Sequence, residues 1–389
     1  MDSFYRPTWV EISLDALRHN LGAFRQILPD EMHMMAVVKA DAYGHGAIQV
    51  AREAMACGAT YLAVAFLDEA LELRRAGITA PILVLGYTSA YGIRLAAEYK
   101  ITINVYSSEV LDAIAEQIDE LIPLSIHIKL DTGMGRLGLH DEAEAISFIE
   151  RALELPGLTV EGLFTHFACA DDRDKTYTWQ QHGRFNRVVE YFGRRGIRFR
   201  YLHTGNSATA IDLPQLTYNM VRLGISLYGL YPSADVDNTR IELQPVMSFK
   251  TAVVMLKTMP SGAGVSYGAT YLTGDGEKIA TLPVGYADGF SRMLGGKAEA
   301  LVRGQRVPVV GRICMDQCML NVSDVPGVGV GDPVVLFGKQ GDAVITADEL
   351  AEKLGTIHYE IVCMVSHRVP RVYISGGQVM NTVNPLQHF

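Results

Sequence analysis

The sequence predicts an α/β fold: a (β/α)8 TIM-type barrel over residues 1–240, then a mainly β domain over 241–389. Three observations lead there. Eight short apolar runs recur between residue 33 and about 230, with helix-period segments between them. After about residue 240 the texture changes to alternating strands broken by Gly/Pro turns. A chain of 389 residues also exceeds what one ordinary core accommodates.

The elements follow in order. TWVEISL comes first, and its strand, 8–13, suits either domain. The eight runs are HMMAVVK, TYLAVAFL, APILVLG, ITINVY, LSIHIKL, VEGLFTHF, RYLHTGN and YNMVRLGISLYG. Several are apolar at successive positions, the pattern of a strand covered on both faces in a parallel sheet. Intervening segments such as LDEALELRRAG and DEAEAISFIERALEL carry helical period. A doubly wound open sheet is the alternative, but no G-x-G-x-x-G stands in the first turn to support a dinucleotide site. Beyond 240, MSFKTAVVMLKTM, EKIATLPVGYA, KAEALVRGQRVPVVGRICMDQCMLNVS and GDPVVLFGKQGD read as strands, with one helix near ADELAEKLG.

Composition narrows the function. Lys+Arg is 34 against 43 Asp+Glu, a net charge of −9 that argues against a nucleic-acid partner. No run of 18 apolar residues predicts a membrane span, and the first residues lack a signal-peptide core. Five scattered cysteines, 57, 169, 314, 318 and 363, form no C-x-x-C pair, so neither a disulfide framework nor a metal cluster is expected. A cytoplasmic protein fits best.

Chemistry concentrates at the strand ends, where barrel enzymes carry their catalytic groups. Lys39 closes the first run in AVVKADAYGHG; a lysine there often just reaches into water. Apolar walls and a glycine-flanked loop make it instead a candidate nucleophile toward an aldehyde. Lys129 and Arg136 flank the exit of the fifth run, His166 ends the sixth, His203, Asn206 and Ser207 follow the seventh, and Arg222 ends the eighth. Ser207 and the backbone at Gly224 and Ile225 suit a phosphate. One lysine, a phosphate cradle and an arginine together point to pyridoxal 5′-phosphate.

These tracts resemble the alanine racemase family. The likeness runs through AVVKADAYGHG, DTGMGRLG, THFA, NSA, VRLGISLYG, VSYGATY, PVGYADG, GRICMDQ and HYEIVCMVSHRVPR, in that order, over essentially the whole chain. It implies a homodimer with shared active sites, acting on L- and D-alanine and supplying D-alanine for peptidoglycan. By resemblance, Lys39 holds the cofactor. Tyr43, Ser207, Gly224, Ile225 and Tyr359 bind its phosphate, and Arg222 meets the pyridine nitrogen. His166 and Asn206 belong to the same cofactor site. Arg136 and the Met315 backbone N–H meet the substrate carboxylate, with Asp316 beside Met315. Tyr286 lines the entrance, and Lys129 matches a lysine carbamylated in relatives. Tyr267 matches a second base; Tyr267, Tyr286 and Met315 reach the site from the partner chain. Asp41, His358 and Phe290 depart from the commonest pattern of asparagine, asparagine and tryptophan, which leaves pocket polarity and substrate range open.

Racemisation removes the Cα proton from one face and returns one to the other, so two bases on opposite sides suit it. The resemblance gives Lys39 the D-antipode and Tyr267 the L-antipode. A tyrosine with a pKa of about 10 needs nearby positive charge, for which His166 and Arg222 are candidates. Two rival readings remain. A pyridoxal-phosphate decarboxylase would benefit from a protonated pyridine, which Arg222 opposes. A non-catalytic cofactor-binding protein would not need a second domain bearing Tyr267.

Overall fold

The computed structural model describes residues 4–387. The chain divides into two compact units. One is Leu17–Ala42 with Gly46–Gln244; the other joins the stretch up to Ala16, Tyr43–His45 and the chain from Pro245 on.

Strand β1 (Thr8–Ser13) precedes eight parallel strands: β2 (His33–Val37), β3 (Tyr61–Val64), β4 (Ile82–Val84), β5 (Thr102–Val105), β6 (Leu124–Lys129), β7 (Leu158–Phe164), β8 (Tyr201–His203) and β9 (Met220–Leu223). Each of β2 to β7 pairs with the next in sequence, β7 with β8, and β9 with β2. A parallel bridge from Gly205 to Val221, with Arg222 N–H donating to Gly205 O at 3.1 Å, joins the two ends into a ring. All residues of β3, β4 and β5 are buried, as expected where helices cover one face and barrel side chains the other. The helix Glu142–Leu153 shows the local logic. Asp141 accepts from Glu144 N–H at 2.9 Å and caps it, while Ala145, Phe148, Ile149 and Ala152 face inward.

Between β6 and β7 the register slips. Ile126 pairs with Val160, but His127 pairs with Gly162, so Glu161 is an extra residue in a bulge.

The other unit is built on an eleven-stranded sheet. Here β1 lies between β10 (Met247–Ala252), antiparallel, and Arg371–Ser375, parallel. Its burial alternates residue by residue, with Val10 and Ile12 fully covered. That one-sided pattern suits this sheet and not a barrel strand covered on both faces. β1 thus groups with the chain from Pro245 on, one of the two placements its pattern allowed. The helix Ala347–Leu354 begins at Thr346, whose hydroxyl accepts from Glu349 N–H at 3.0 Å. No helix among the described residues is long and apolar enough to cross a membrane.

Candidate active site

Lys39 follows β2 and opens a short turn, Lys39–Tyr43, in which Ala40, Asp41, Ala42 and Tyr43 all have φ of 53–55°. Consecutive left-handed residues cost about 1–2 kcal/mol each, so something must hold them. Glu69 Oε1 accepts from Ala40 N–H at 2.7 Å, and its Oε2 accepts from Ala65 N–H at 2.6 Å. Asp41 Oδ1 accepts from Ala47 N–H at 2.8 Å, a role a carboxylate fills as well as an asparagine.

Arg222, at the end of β9, is buried. One terminal nitrogen donates to His203 Nδ1 at 2.8 Å and His203 O at 3.0 Å. The other meets Thr165 O at 2.9 Å, Thr204 O at 2.9 Å and His166 Nδ1 at 3.1 Å. Five acceptors thus absorb the four terminal hydrogens. The remaining one, on Nε, has no hydrogen-bond acceptor among the described residues. Burial and the neighbouring Arg136 lower the guanidinium to about 9, which leaves it charged at neutral pH. Burial, with Arg222, Lys129, Arg136 and Lys39 nearby, holds His166 well below the ordinary imidazole range. His166 is therefore a neutral acceptor. It does not supply the positive charge the sequence reading offered for it; of the two candidates, Arg222 remains the cation.

Lys129 ends β6 and is 4 % exposed. Its Nζ lies 5.3 Å from the centre of the Phe164 ring and makes no hydrogen bond or ion pair among the described residues. Burial first, then Arg136 and Arg222, push its pKa down to about 7. Arg136 itself is exposed, in the loop after β6.

Asn206 caps the short helix Ser207–Asp212 by accepting from Thr209 N–H at 3.0 Å. Ser207 and Ile225 each open a helical turn, so their N–H groups have no partner within it. Gly224 N–H, expected as a phosphate donor, donates instead to Ser207 Oγ at 3.1 Å.

The remaining candidates belong to the other unit. Tyr43 is buried beside Tyr359, ring centres 6.3 Å apart. Burial and Tyr359 raise the Tyr43 phenol above its ordinary pKa, so it stays a hydrogen-bond donor. His358 stacks on Tyr359 and sets Nδ1 2.9 Å from Asp348 Oδ1. Tyr267 lies on the turn Tyr267–Ala269, anchored by Ser266 Oγ donating to Arg312 O at 2.6 Å. With Met315, Asp316, Cys314 and Lys257 it lines a groove of about 660 Å³. Tyr286 is tied to that groove by its N–H, which donates to Cys314 O at 3.0 Å.

The profile of the alanine racemase N-terminal domain matches residues 12–232, and that of the C-terminal domain matches 246–373. An alanine racemase of Desulfovibrio desulfuricans is 49% identical over 96% of this chain and all of its own length. One from Methanococcus maripaludis is 50% identical over 95% of this chain and 99% of its own. The chain belongs to the alanine racemase family.

Among solved structures, alanine racemase of Bacillus anthracis with bound L-Ala-P superposes with a TM-score of 0.94 at 43% identity, covering 99% of this chain and 100% of that one. A histidine racemase of Leuconostoc mesenteroides superposes at 0.89 with 33% identity, covering 95% and 99%. Alanine racemase family membership makes the protein an amino-acid racemase built on a parallel eight-stranded barrel and a β domain.

Sequence reasoning missed the groups behind these candidates. Asp288, fully buried, receives Arg6 and Arg368, each at 2.7 Å, and Gly285 N–H at 3.0 Å. Arg368 also reaches Asp316 at 2.6 Å and so fixes the loop that carries Met315. Both acids stand in motifs of the alanine racemase family, GYADG and CMDQ, and Arg368 in SHRVPR; only their pairing was hidden.

Proposed function

We propose that the protein interconverts L-alanine and D-alanine with pyridoxal 5′-phosphate, as a cytoplasmic homodimer whose active sites draw on both chains, and that it supplies D-alanine for peptidoglycan. The observation that carries the cofactor is Arg222. Its one remaining hydrogen, on Nε, calls for an acceptor that brings no hydrogen of its own, and an unprotonated pyridine nitrogen is one. The other groups fit. Lys39 offers the amine for the aldehyde. Ser207 and Ile225 offer a hydroxyl and N–H groups for the phosphate, and by family resemblance Tyr43 and Tyr359 add their hydroxyls. His166 and Asn206 hold Arg222 and the Ser207 turn in place.

Bound there, the cofactor supplies a sink for the electron pair left on the substrate Cα. Lys39 moves a proton on one face, and the partner subunit's Tyr267 on the other. Because a guanidinium does not release its proton, Arg222 keeps the ring nitrogen unprotonated and the sink weak. A sink so weakened would favour prompt return of the Cα proton over transamination. Arg136 binds the substrate carboxylate, helped by the partner's Met315, while the partner's Tyr286 narrows the entrance. Asp316, held by Arg368, supports Met315.

A chiral assay of the purified protein with and without added pyridoxal 5′-phosphate, over alanine, serine and histidine, tests this reading. Cofactor-dependent conversion should be fastest for alanine. Preference for histidine, or carbon dioxide release in place of inversion, would contradict it.

A further inference from the structure

Behind Arg222 the buried polar groups continue through the barrel. His203 Nδ1 accepts from Arg222 at 2.8 Å, and its Nε2 lies 2.7 Å from His127 Nδ1. His127 Nε2 faces Glu161 Oε2 at 3.6 Å, just beyond hydrogen-bond length, and no other acceptor reaches it among the described residues. Glu161 in turn lies 3.0 Å from Tyr61 Oη and 3.5 Å from Arg200. Both histidines are fully buried, and Phe164 stacks on His203 at 4.7 Å.

Chemistry fixes the direction of this chain. A guanidinium only donates, so His203 must accept at Nδ1 and carry its hydrogen on Nε2. His127 then accepts at Nδ1 and carries its own hydrogen on Nε2. That hydrogen points at Glu161. Burial keeps both rings below the ordinary imidazole range and therefore neutral. Burial pushes the Glu161 carboxyl upward, but His127, Tyr61 and Arg200 outweigh it and hold it below its usual range, ionised.

The backbone is shaped for the same end. Glu161 is the extra residue of the β7 bulge, and bulges re-aim side chains. Beside it, a Cβ on Gly162 would stand 2.9 Å from His127 Cε1, so only glycine leaves room for that ring. An ordinary β7 strand would not bring a carboxylate to this imidazole.

We propose that Arg222, His203 and His127 form a one-way hydrogen-bond relay, and that the Glu161 carboxylate facing its far end sets how strongly Arg222 donates through Nε. Glu161 and His127 touch neither substrate nor cofactor and act as positioning residues. The proposal rests on the reading that Arg222 meets the cofactor ring. Each neutral imidazole passes polarisation along, because a stronger pull on its Nε2–H makes its Nδ1 a better acceptor.

The test is imidazole NMR of the [15N]histidine-labelled holoenzyme and of the same protein stripped of cofactor. Eleven histidines are present, and single His→Asn variants assign the two that matter. Both His127 and His203 should show hydrogen on Nε2 and an accepting Nδ1. Glu161→Gln, which keeps size and removes charge, should move the His127 signals and, more weakly, those of His203. It should lower kcat roughly three- to tenfold with KM for alanine unchanged, because only ring electronics are touched. Tyr61→Phe should move the same signals the opposite way, since a carboxylate relieved of one donor pulls harder on His127. A loss of packing alone would not give opposite signs, and this variant decides the matter if Glu161→Gln does not fold. Hydrogen on Nδ1 of either ring, or a His203 signal indifferent to both substitutions, would overturn the relay. If the wild-type protein neither binds pyridoxal 5′-phosphate nor racemises alanine, the functional reading fails instead, and the histidine signals still report whether the relay exists.

Discussion

In the barrel, Arg222 is 4 % exposed and its terminal hydrogens are absorbed by five acceptors; in the β unit, Tyr267 is 69 % exposed and its hydroxyl has no hydrogen-bond partner among the described residues. The contrast extends to their neighbours. Lys129 and His203 are buried with Arg222, whereas Met315 is 52 % exposed beside Tyr267 and Tyr286 is 40 % exposed. The barrel groups are fixed by their own chain before any ligand arrives. The groove groups rest on a firm base, Asp288 with its two arginines, yet present apolar and phenolic surface to the outside. Such an arrangement is what a shared site requires: one half complete within a chain, the other half offered to a second copy.

Three substitutions and one modification probe that difference, from the largest effect to the smallest. Lys39→Ala removes both the proposed tether and one proposed base, and racemisation should fall at least about 10³-fold. Borohydride reduction followed by peptide mapping should put the pyridoxyl label on Lys39 in the wild type and remove it in the variant; a label on another lysine breaks the barrel half of the comparison. Tyr267→Phe removes the other base alone. It should cost roughly 10²–10³-fold in kcat while cofactor absorbance at Lys39 stays unchanged, because the tether lies wholly on the barrel side. A variant that also loses cofactor would show that the two halves are not separate.

Asp288→Ala probes the base beneath the groove. Its two arginines keep partial access to water, so the loss should be roughly 2 kcal/mol, read from the denaturant midpoint. Unchanged stability would mean that the groove is not supported from below. For Lys129, a pKa near 7 leaves a large fraction of neutral amine at pH 8, the form that reacts with carbon dioxide. Addition to carbon dioxide with release of a proton gives a carbamate, an anion set among Arg136 and Arg222. 13C NMR in labelled bicarbonate should show it at pH 8 and show it fading as pH falls through about 7. Its absence at pH 8 would contradict the assignment.

Much of this was legible in the residues. All eight barrel runs are strands, from His33–Val37 to Met220–Leu223, because long apolar runs cut by helical segments allow few other solutions. The helix at Ala347–Leu354 is legible for the same reason. Strand β1 was ambiguous, since six residues of alternating pattern fit any half-covered sheet. What the sequence hid depends on register and on distant pairing. Glu161 looks like an ordinary outward residue of VEGLF until the bulge turns it toward His127. The left-handed run at Ala40–Tyr43 contains no glycine to announce it, and Glu69, which accepts from Ala40, is 29 positions away. His166 could be placed at a strand end from sequence, but not its charge, which follows from burial beside Arg222.

The shared site is tested most directly by mixing two inactive proteins. Lys39→Ala and Tyr267→Phe chains, co-refolded or co-expressed with different tags, give mixed dimers in which one site carries both lesions and the other carries neither. Random reassortment makes half the dimers mixed, so about a quarter of wild-type L-to-D-alanine conversion should return. If Tyr267 serves Lys39 of its own chain, both sites of every mixed dimer are damaged. No recovered activity, with mixed dimers shown to be present, would contradict the account.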